Sequence, residues 1–406
     1  MLYWILWGIV KFSLKFSFRR IRFRGLEYLQ KDTPVIFTCN HPVGFMEPLI
    51  LATHIPKSLN YLARGDAFKN PVARFLLNQI HILPIYRFRD GFNNMRNNKE
   101  AMQNAIDILK SGRSFLVFVE GSTTLQYSYR PIQKGVSRII YQMLDEDATA
   151  KVAIIPIGFN DSDMRTLGSS VFVNLAKPIV PHELYKTADS KPLFLKKLTK
   201  LISDKSQEQV PQLDNLKDET LLQNLVSIFP DRDVTFDQLK LAADHINSIQ
   251  EDEKSSLHQQ VVGFKQKLGK TSSDTTALFQ SFSISQVFVL VLGAIPALLG
   301  RMIPIIPMFV AKKFADTVIK NSAFYMVNVF VVRFVLVGFF YIILFVILKL
   351  FGVGRAFFIL FALALLGMYA IYYVRELKTV INLFRLKGKK VTLRNDYFKI
   401  TNKFLK

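Results

Sequence analysis

The stretch Pro34-Val-Ile-Phe-Thr-Cys-Asn-His-Pro-Val-Gly-Phe-Met-Glu-Pro-Leu49 decides how this chain folds around it. Residues 34–39 form a short apolar run of strand length, the pattern of a strand buried on both faces. Pro42 and Gly44 then force a turn, and Pro48 suits the first turn of a helix that opens over residues 49–53. Outward from there the alternation continues. Helical periodicity over 72–79 is followed by a strand-like run at 80–86 despite Pro84. A helix over 100–110 stops at Ser111-Gly112 and leads into a buried strand at 115–119. A helix at 132–145 and a strand at 152–157 complete an α/β pattern over residues 25–186.

Composition adds a second region. The 406-residue chain is 50% apolar, above what a soluble protein carries. The excess is concentrated in residues 286–311, 322–348 and 356–374. Residues 322–349 and 356–374 are long enough to cross a bilayer, and the short link 350–355 makes them a hairpin. Arg333 must then snorkel or face a partner. Pro296, Arg301, Pro304 and Pro307 interrupt the earlier run, which reads as a re-entrant or interfacial pair of short helices. Basic residues flank the hairpin on both sides, so both flanks are expected in the cytoplasm.

At the other end, Met1 to Val10 is apolar but too short to span. Trp4 and Trp7 suit the headgroup boundary, so residues 1–24 read as an interfacial helix anchoring the chain. The expected organisation is thus an anchor at 1–24, an α/β domain at 25–186, a polar and mostly helical insert at 187–281, a membrane region at 282–375 and a basic cytoplasmic tail at 376–406. Within the insert, 203–208 and 251–256 read as loops, and 248–270 has the charge spacing of a solvated helix.

A net charge of +22 admits nucleic acid, anionic lipid or an anionic substrate as partner. Lys11, Lys15, Arg19, Arg20, Arg22 and Arg24 lie beside apolar segments, where they meet lipid phosphates, so anionic membrane lipids are expected partners. No zinc-finger spacing or aromatic RNA-binding signature supports nucleic acid. The single Cys39 excludes an internal disulfide and reads as an apolar filler rather than a nucleophile. His54, His81, His182, His245 and His258 are scattered without ligand spacing, so neither metal nor cofactor is expected.

Three constellations carry chemistry. His41 and Glu47 would point about 120° apart on one ideal helix; they meet only if the chain bends at Pro42 and Gly44. A carboxylate on one imidazole nitrogen leaves the other free to act as a base. Two unrelated polar residues in a surface loop account for the pair equally well. Glu120-Gly121-Ser122 follows a strand at the edge where α/β sheets bind ligands, without the spacing of a phosphate-cradling loop. Arg87 and Arg89 alternate on one extended segment, ready for bidentate phosphate binding or for a membrane surface. Pro156, in Ile154-Ile-Pro-Ile-Gly158, reads as part of a pocket wall.

In this order and spacing, Asn40-His41 with Glu47-Pro48, then Arg87, then Val119-Glu120-Gly121-Ser122-Thr123, then Pro156, the chain resembles the PlsC-like glycerolipid acyltransferases over about residues 20–180. Its departures are Glu47 where the family keeps Asp, Val119 where it keeps Pro, Thr123 where it keeps Arg, and Gln133 where it keeps Lys. The C-terminal apolar region is similar to that of a membrane-bound subgroup with five-residue spacing. The resemblance implies a mixed sheet flanked by helices, with His41 and Glu47 catalytic and Asn40, Arg87, Glu120, Gly121, Ser122 and Pro156 at the substrate. It also implies an acyl thioester, acyl-CoA or acyl-ACP, as co-substrate, and a lysophospholipid or glycerol phosphate as acceptor. An acceptor built on an amino-acid lipid and a catalytically degenerate lipid-binding protein are the alternatives.

Overall fold

The computed structural model describes residues 2–85, 95–165, 167–230, 234–271, 274–281, 283–302, 304–318 and 324–405. One sheet contains β1 (Arg20–Arg24), β2 (Val35–Cys39), β3 (Leu59–Arg64), β4 (Ile82–Ile85), β5 (Ser114–Phe118), β6 (Ala153–Asp161) and β7 (Ser170–Leu175), in the spatial order β1-β7-β6-β2-β5-β3-β4. β2 runs parallel to both neighbours, β5 and β6, and β3 runs parallel to β5 and β4. β7 is antiparallel to β6, so the sheet is mixed, as the family resemblance implied. The central position of β2 explains its composition: Val35, Ile36, Phe37 and Cys39 are at most 1% exposed.

Helices α1 (Leu2–Ser17), α2 (Met46–His54), α3 (Pro71–Gln79), α4 (Met95–Lys110), α5 (Gly135–Glu146), α6 (His182–Thr187) and α7 (Lys191–Gln207) accompany the sheet. Its core joins Ile36, Phe115 and Ile154 to Ile106 and Leu109 of α4, Ile140 and Met143 of α5, and Phe194, Leu198 and Ile202 of α7. This compact unit comprises residues Met1–Leu14, Ile21–Asp161 and Val171–Gln212.

Three strands are absent from the sequence reading. The basic run 20–24, assigned there to the anchor, alternates Arg20, Arg22 and Arg24 outward with Ile21 and Phe23 between them, and forms an edge strand. In β3 and β7 polar residues mask the apolar pattern. Asn60 Nδ2 donates to the Ser114 carbonyl at 3.0 Å, and Asn174 Nδ2 to the Gln209 carbonyl at 3.3 Å.

The compact unit continues past residue 186 to Gln212. α7 packs against the sheet core, and residues 203–207, expected as a loop, continue that helix. The chain past α7 is clamped on the sheet. Asn160 Nδ2 donates to the Gln209 carbonyl at 3.0 Å, and a side chain at Gly158 would overlap that carbonyl. Gly158→Ala is therefore expected to destabilise this unit by about 1–3 kcal/mol, the range for overpacking. Hydrogen exchange of β6 in the full chain checks it; unchanged protection would show that the Gln209 segment yields without cost.

The second unit comprises Lys15–Arg20, Ser162–Ser170 and Leu213–Lys406. Its polar helices are α8 (Glu219–Val226), α9 (Phe236–Ser248), α10 (Glu251–Gly269) and α11 (Thr275–Phe279). Residues 251–256, expected as a loop, are the first turns of α10, whose acidic Glu251, Asp252 and Glu253 suit a helix N-terminus. Lys254 Nζ bridges Asp218 at 2.7 Å and Glu251 at 2.9 Å.

The apolar helices are α12 (Ile284–Met302), α13 (Ile305–Val318), α14 (Tyr325–Leu350) and α15 (Ala356–Arg385). Of these, α12, α14 and α15 are long and apolar enough to cross a membrane. α12 continues through Pro296, and the expected interruption falls only after Met302. α15 carries on past the apolar stretch to Arg385, and α16 (Lys390–Thr401) follows. The basic tail is a packed element. Tyr397 is 5% exposed and stacks edge-on to Phe279 at 5.0 Å, and Asp396 pairs with Lys267 at 2.8 Å.

Candidate active site

β2 and β5 are adjacent and parallel with Cys39 opposite Phe118, so the turns that follow them leave the same edge of the sheet. That juxtaposition brings His41 to Glu120. The His41 backbone N–H donates to Glu120 Oε2 at 3.3 Å, and the Thr124 N–H donates to the His41 carbonyl at 3.2 Å. Asn40 fixes the other side. Its amide Nδ2 donates to the Phe159 carbonyl at 2.9 Å and its Oδ1 accepts from the Phe159 N–H at 2.7 Å, which extends the β2–β6 ladder by one side chain.

The turn at Gly44, with φ of 69°, brings the start of α2 back toward the imidazole. Glu47 is fully buried, and its Oε1 lies 3.4 Å from His41 Nδ1. The same oxygen accepts from the Val43 N–H at 2.5 Å, which fixes the carboxylate relative to the turn. Phe118 supplies the second constraint: its ring stacks on the imidazole at a centroid distance of 3.9 Å and an angle of 19°. The imidazole is thus held on its face by an aromatic ring, with the Glu47 carboxylate 3.4 Å from Nδ1. Its side chain retains 15% exposure.

Glu120 is 8% exposed, and its carboxylate is spent on internal donors. Besides His41 N–H, it accepts from the Arg130 N–H at 2.9 Å and from Arg130 Nη2 at 2.7 Å. The Arg130 guanidinium also donates from Nη1 to Ser122 Oγ at 2.7 Å and from Nη2 to the Ser122 carbonyl. Gly121 makes this loop possible, with φ of 71° where a side chain would be strained. Arg130 and Phe118 were missed by the sequence reading. The available signal for Arg130 was the arginine lacking at Thr123, which invited a search for another nearby.

The other expected site residues are placed as follows. Asn40 is 2% exposed with both amide atoms bonded to the Phe159 backbone, which fixes the turn that carries His41. Pro156 is buried inside β6, opposite Thr38. Arg87 lies outside the described residues. Cys39 is fully buried; burial pushes its thiol well up, and the charges of Glu47 and Glu120 push it further, which keeps it protonated and unreactive. Among the described residues, no group of three or more His, Cys, Asp or Glu is set to hold a metal ion.

An acyltransferase family model matches residues 20–160, the segment that carries β1 through β6 and both edge turns. Residues 20–160 thus carry an acyltransferase domain. The chain is 21% identical over 202 residues to a chloroplastic 1-acyl-sn-glycerol-3-phosphate acyltransferase of Brassica napus, a match covering 50% of this chain and 53% of that one. The chain thus spans about half the length of that curated relative. Among solved structures, the 1-acyl-sn-glycerophosphate acyltransferase PlsC of Thermotoga maritima is 18% identical, with a TM-score of 0.37, over 50% of this chain and 78% of that one. In the acyltransferase domain, His41, Glu47 and Glu120 form one connected constellation at the carboxyl edge of the sheet.

Proposed function

We propose that this acyltransferase moves a fatty acyl chain from acyl-CoA or acyl-ACP to the hydroxyl of a lysophospholipid or glycerol phosphate, at the cytoplasmic face of a membrane. The observation that carries the reading is the placement of His41 Nδ1 against the buried Glu47 carboxylate. With Nδ1 turned to Glu47, Nε2 takes the acceptor's hydroxyl proton as the oxygen attacks the thioester carbon. A C–O bond forms, the C–S bond breaks, and the imidazolium returns its proton to the departing thiolate. No acyl-enzyme is required. Backbone N–H groups or a nearby cation would stabilise the tetrahedral oxyanion.

The domain's surface supports work at an interface. Trp4 and Phe12 of α1 are 62% and 51% exposed, and Lys11 lies over the Trp7 ring at 4.4 Å. An apolar face beside a basic residue suits the headgroup boundary, where lysolipid and acyl chains partition. The α1 helix is held on the domain by Trp7 Nε1, which donates to the Ala52 carbonyl at 2.9 Å.

The test is a panel of lysophosphatidic acid, other lysophospholipids, glycerol 3-phosphate and a lyso amino-acid lipid, offered with radiolabelled acyl-CoA and acyl-ACP to the purified chain. Transfer to a phosphate-bearing acceptor supports the reading. Transfer to the amino-acid lipid alone would move the acceptor and keep the chemistry, whereas no thioester consumption with any acceptor would leave a lipid-binding protein.

Glu47 sharpens the same assay. One oxygen serves both Val43 N–H and the imidazole, and aspartate is shorter by one methylene, so it cannot keep both contacts without moving the helix. Glu47→Asp is expected to lower kcat about tenfold, or about 1.4 kcal/mol of transition-state stabilisation, with KM little changed. A variant as fast as the parent would show that the length of the acid is immaterial.

A further inference from the structure

Polar elements on both sides of the membrane region pack together. Asn382, near the end of α15, donates to Asp274 Oδ2 at 3.2 Å, Lys390 Nζ donates to the Gln280 carbonyl, and Phe279 packs on Tyr397. Residues just before α12 and residues at the end of α15 are therefore held in one cluster, and the region between them must begin and end on the same face of a bilayer. An even number of crossings follows. Yet among the described residues three helices, α12, α14 and α15, are long and apolar enough to cross.

The helix packing resolves the parity. α14 and α15 are antiparallel, with Tyr341 Oη 4.0 Å from where a Cβ of Gly367 would lie. Their link is short, with Phe351 closing α14 and Arg355 opening α15. They form the out-and-back hairpin. α12 also runs antiparallel to α15: Gly293 meets Tyr369 and Tyr373, while Gly300, further along, meets the backbone of Leu366. A side chain at Gly300 would overlap the Leu366 carbonyl, so this register is fixed by backbone contact.

Leu366 lies about 15 Å along the helix from Ala356, at 1.5 Å per residue. α12 ends at Met302, about 12 Å short of the hairpin's turn. The apolar stretch from Ala356 to Val374 is about 28 Å long, so α12 stops near its middle. α13 cannot carry the chain across instead. Its apolar part ends at Ala311, before Lys312 and Lys313, about 10 Å of helix where a bilayer core needs about 30 Å. Asp316, near its end, accepts from Tyr325 Oη at 2.5 Å, which returns the chain to the start of α14.

We propose that α12 and α13 are a re-entrant pair that dips to mid-depth in one leaflet and returns to the face it left, while only α14 and α15 cross. The partner of this pair is the phospholipid of that leaflet. Arg301, exposed beside the tip, draws headgroup phosphates and water of the same leaflet toward the bilayer centre. The pair is therefore a one-sided wedge that thins the bilayer locally.

Single cysteines introduced as Ser283→Cys, Met302→Cys, Gly354→Cys and Lys387→Cys in the full chain test it with a membrane-impermeant maleimide. The reagent is applied to spheroplasts and to inverted membrane vesicles of an expressing bacterium. The native Cys39 is fully buried, so the folded parent chain is the blank, and labelling of two thiols per chain after detergent and denaturant, against one in the parent, confirms that each introduced thiol is intact. Ser283→Cys and Lys387→Cys are expected to label from one side and Gly354→Cys from the other. Met302→Cys is expected to label from neither side, or from the Ser283 side alone. Labelling of Met302→Cys from the Gly354 side, of Ser283→Cys and Lys387→Cys from opposite sides, or of Gly354→Cys from the Ser283 side overturns the proposal.

Discussion

His41→Ala is expected to lower acyl transfer by about 10²–10⁴-fold, the usual contribution of a positioned general base, while the fold persists. The fold should persist because the local bonds do not depend on the imidazole: the His41 N–H to Glu120 and the carbonyl to Thr124 are backbone contacts. Losing the ring leaves Glu47 buried with Val43 N–H as its remaining contact, so a modest drop in melting temperature accompanies the kinetic effect. The separating measurement is single-turnover transfer with saturating thioester, which reads the chemical step apart from binding. Undiminished turnover by a folded His41→Ala chain would sink the proposed mechanism. Glu47→Gln, which keeps the volume and removes the charge, should fall between this variant and Glu47→Asp.

The second large effect is expected at Arg130, which lies outside the motif blocks quoted above. Its guanidinium pairs with the Glu120 carboxylate at 2.7 Å, the two side chains being 17% and 3% exposed. Removing one member of a buried pair leaves an uncompensated charge and costs about 3–5 kcal/mol. Arg130→Ala should therefore lower stability markedly and release Glu120 from the His41 backbone. Transfer by the fraction still folded is expected to drop about 10²-fold, mainly in kcat, since the base is displaced while substrate groups elsewhere are untouched. Arg130→Lys should recover stability better than rate, because one ammonium cannot reproduce the fork that reaches Glu120 and both Ser122 oxygens. A lysine variant with full kcat would show that Arg130 supplies charge alone.

The legibility of this chain varied with the range of the interaction involved. Buried strands with unbroken apolar runs, such as Val35–Cys39, could be read directly because complete burial leaves no alternation to confuse. β3 and β7 could not, since Asn60 and Asn174 satisfy their amides on distant backbone, and nothing local announces that partner. Likewise α7 and α16 are polar helices of ordinary composition. Their assignment to the sheet core and to the α10–α11 cluster rests on which apolar stripe meets which, and a stripe does not name its partner.

At the site, residue types and order were determined by the sequence alone: an imidazole and a carboxylate separated by a proline-glycine turn, then a Glu-Gly-Ser turn after a second buried strand. The tertiary structure decided which of these touch. Parallel pairing of β2 and β5 brings two turns far apart in sequence to one edge, where Glu120 grips the His41 backbone and Phe118 stacks on its ring. It also bonds Asn40 to the Phe159 backbone and Glu120 to the His41 backbone, and brings in Arg130. The reason is that local sequence sets torsions and turns within a few residues, whereas hydrogen-bond partners across a sheet follow from strand order and register, which only the packed chain determines.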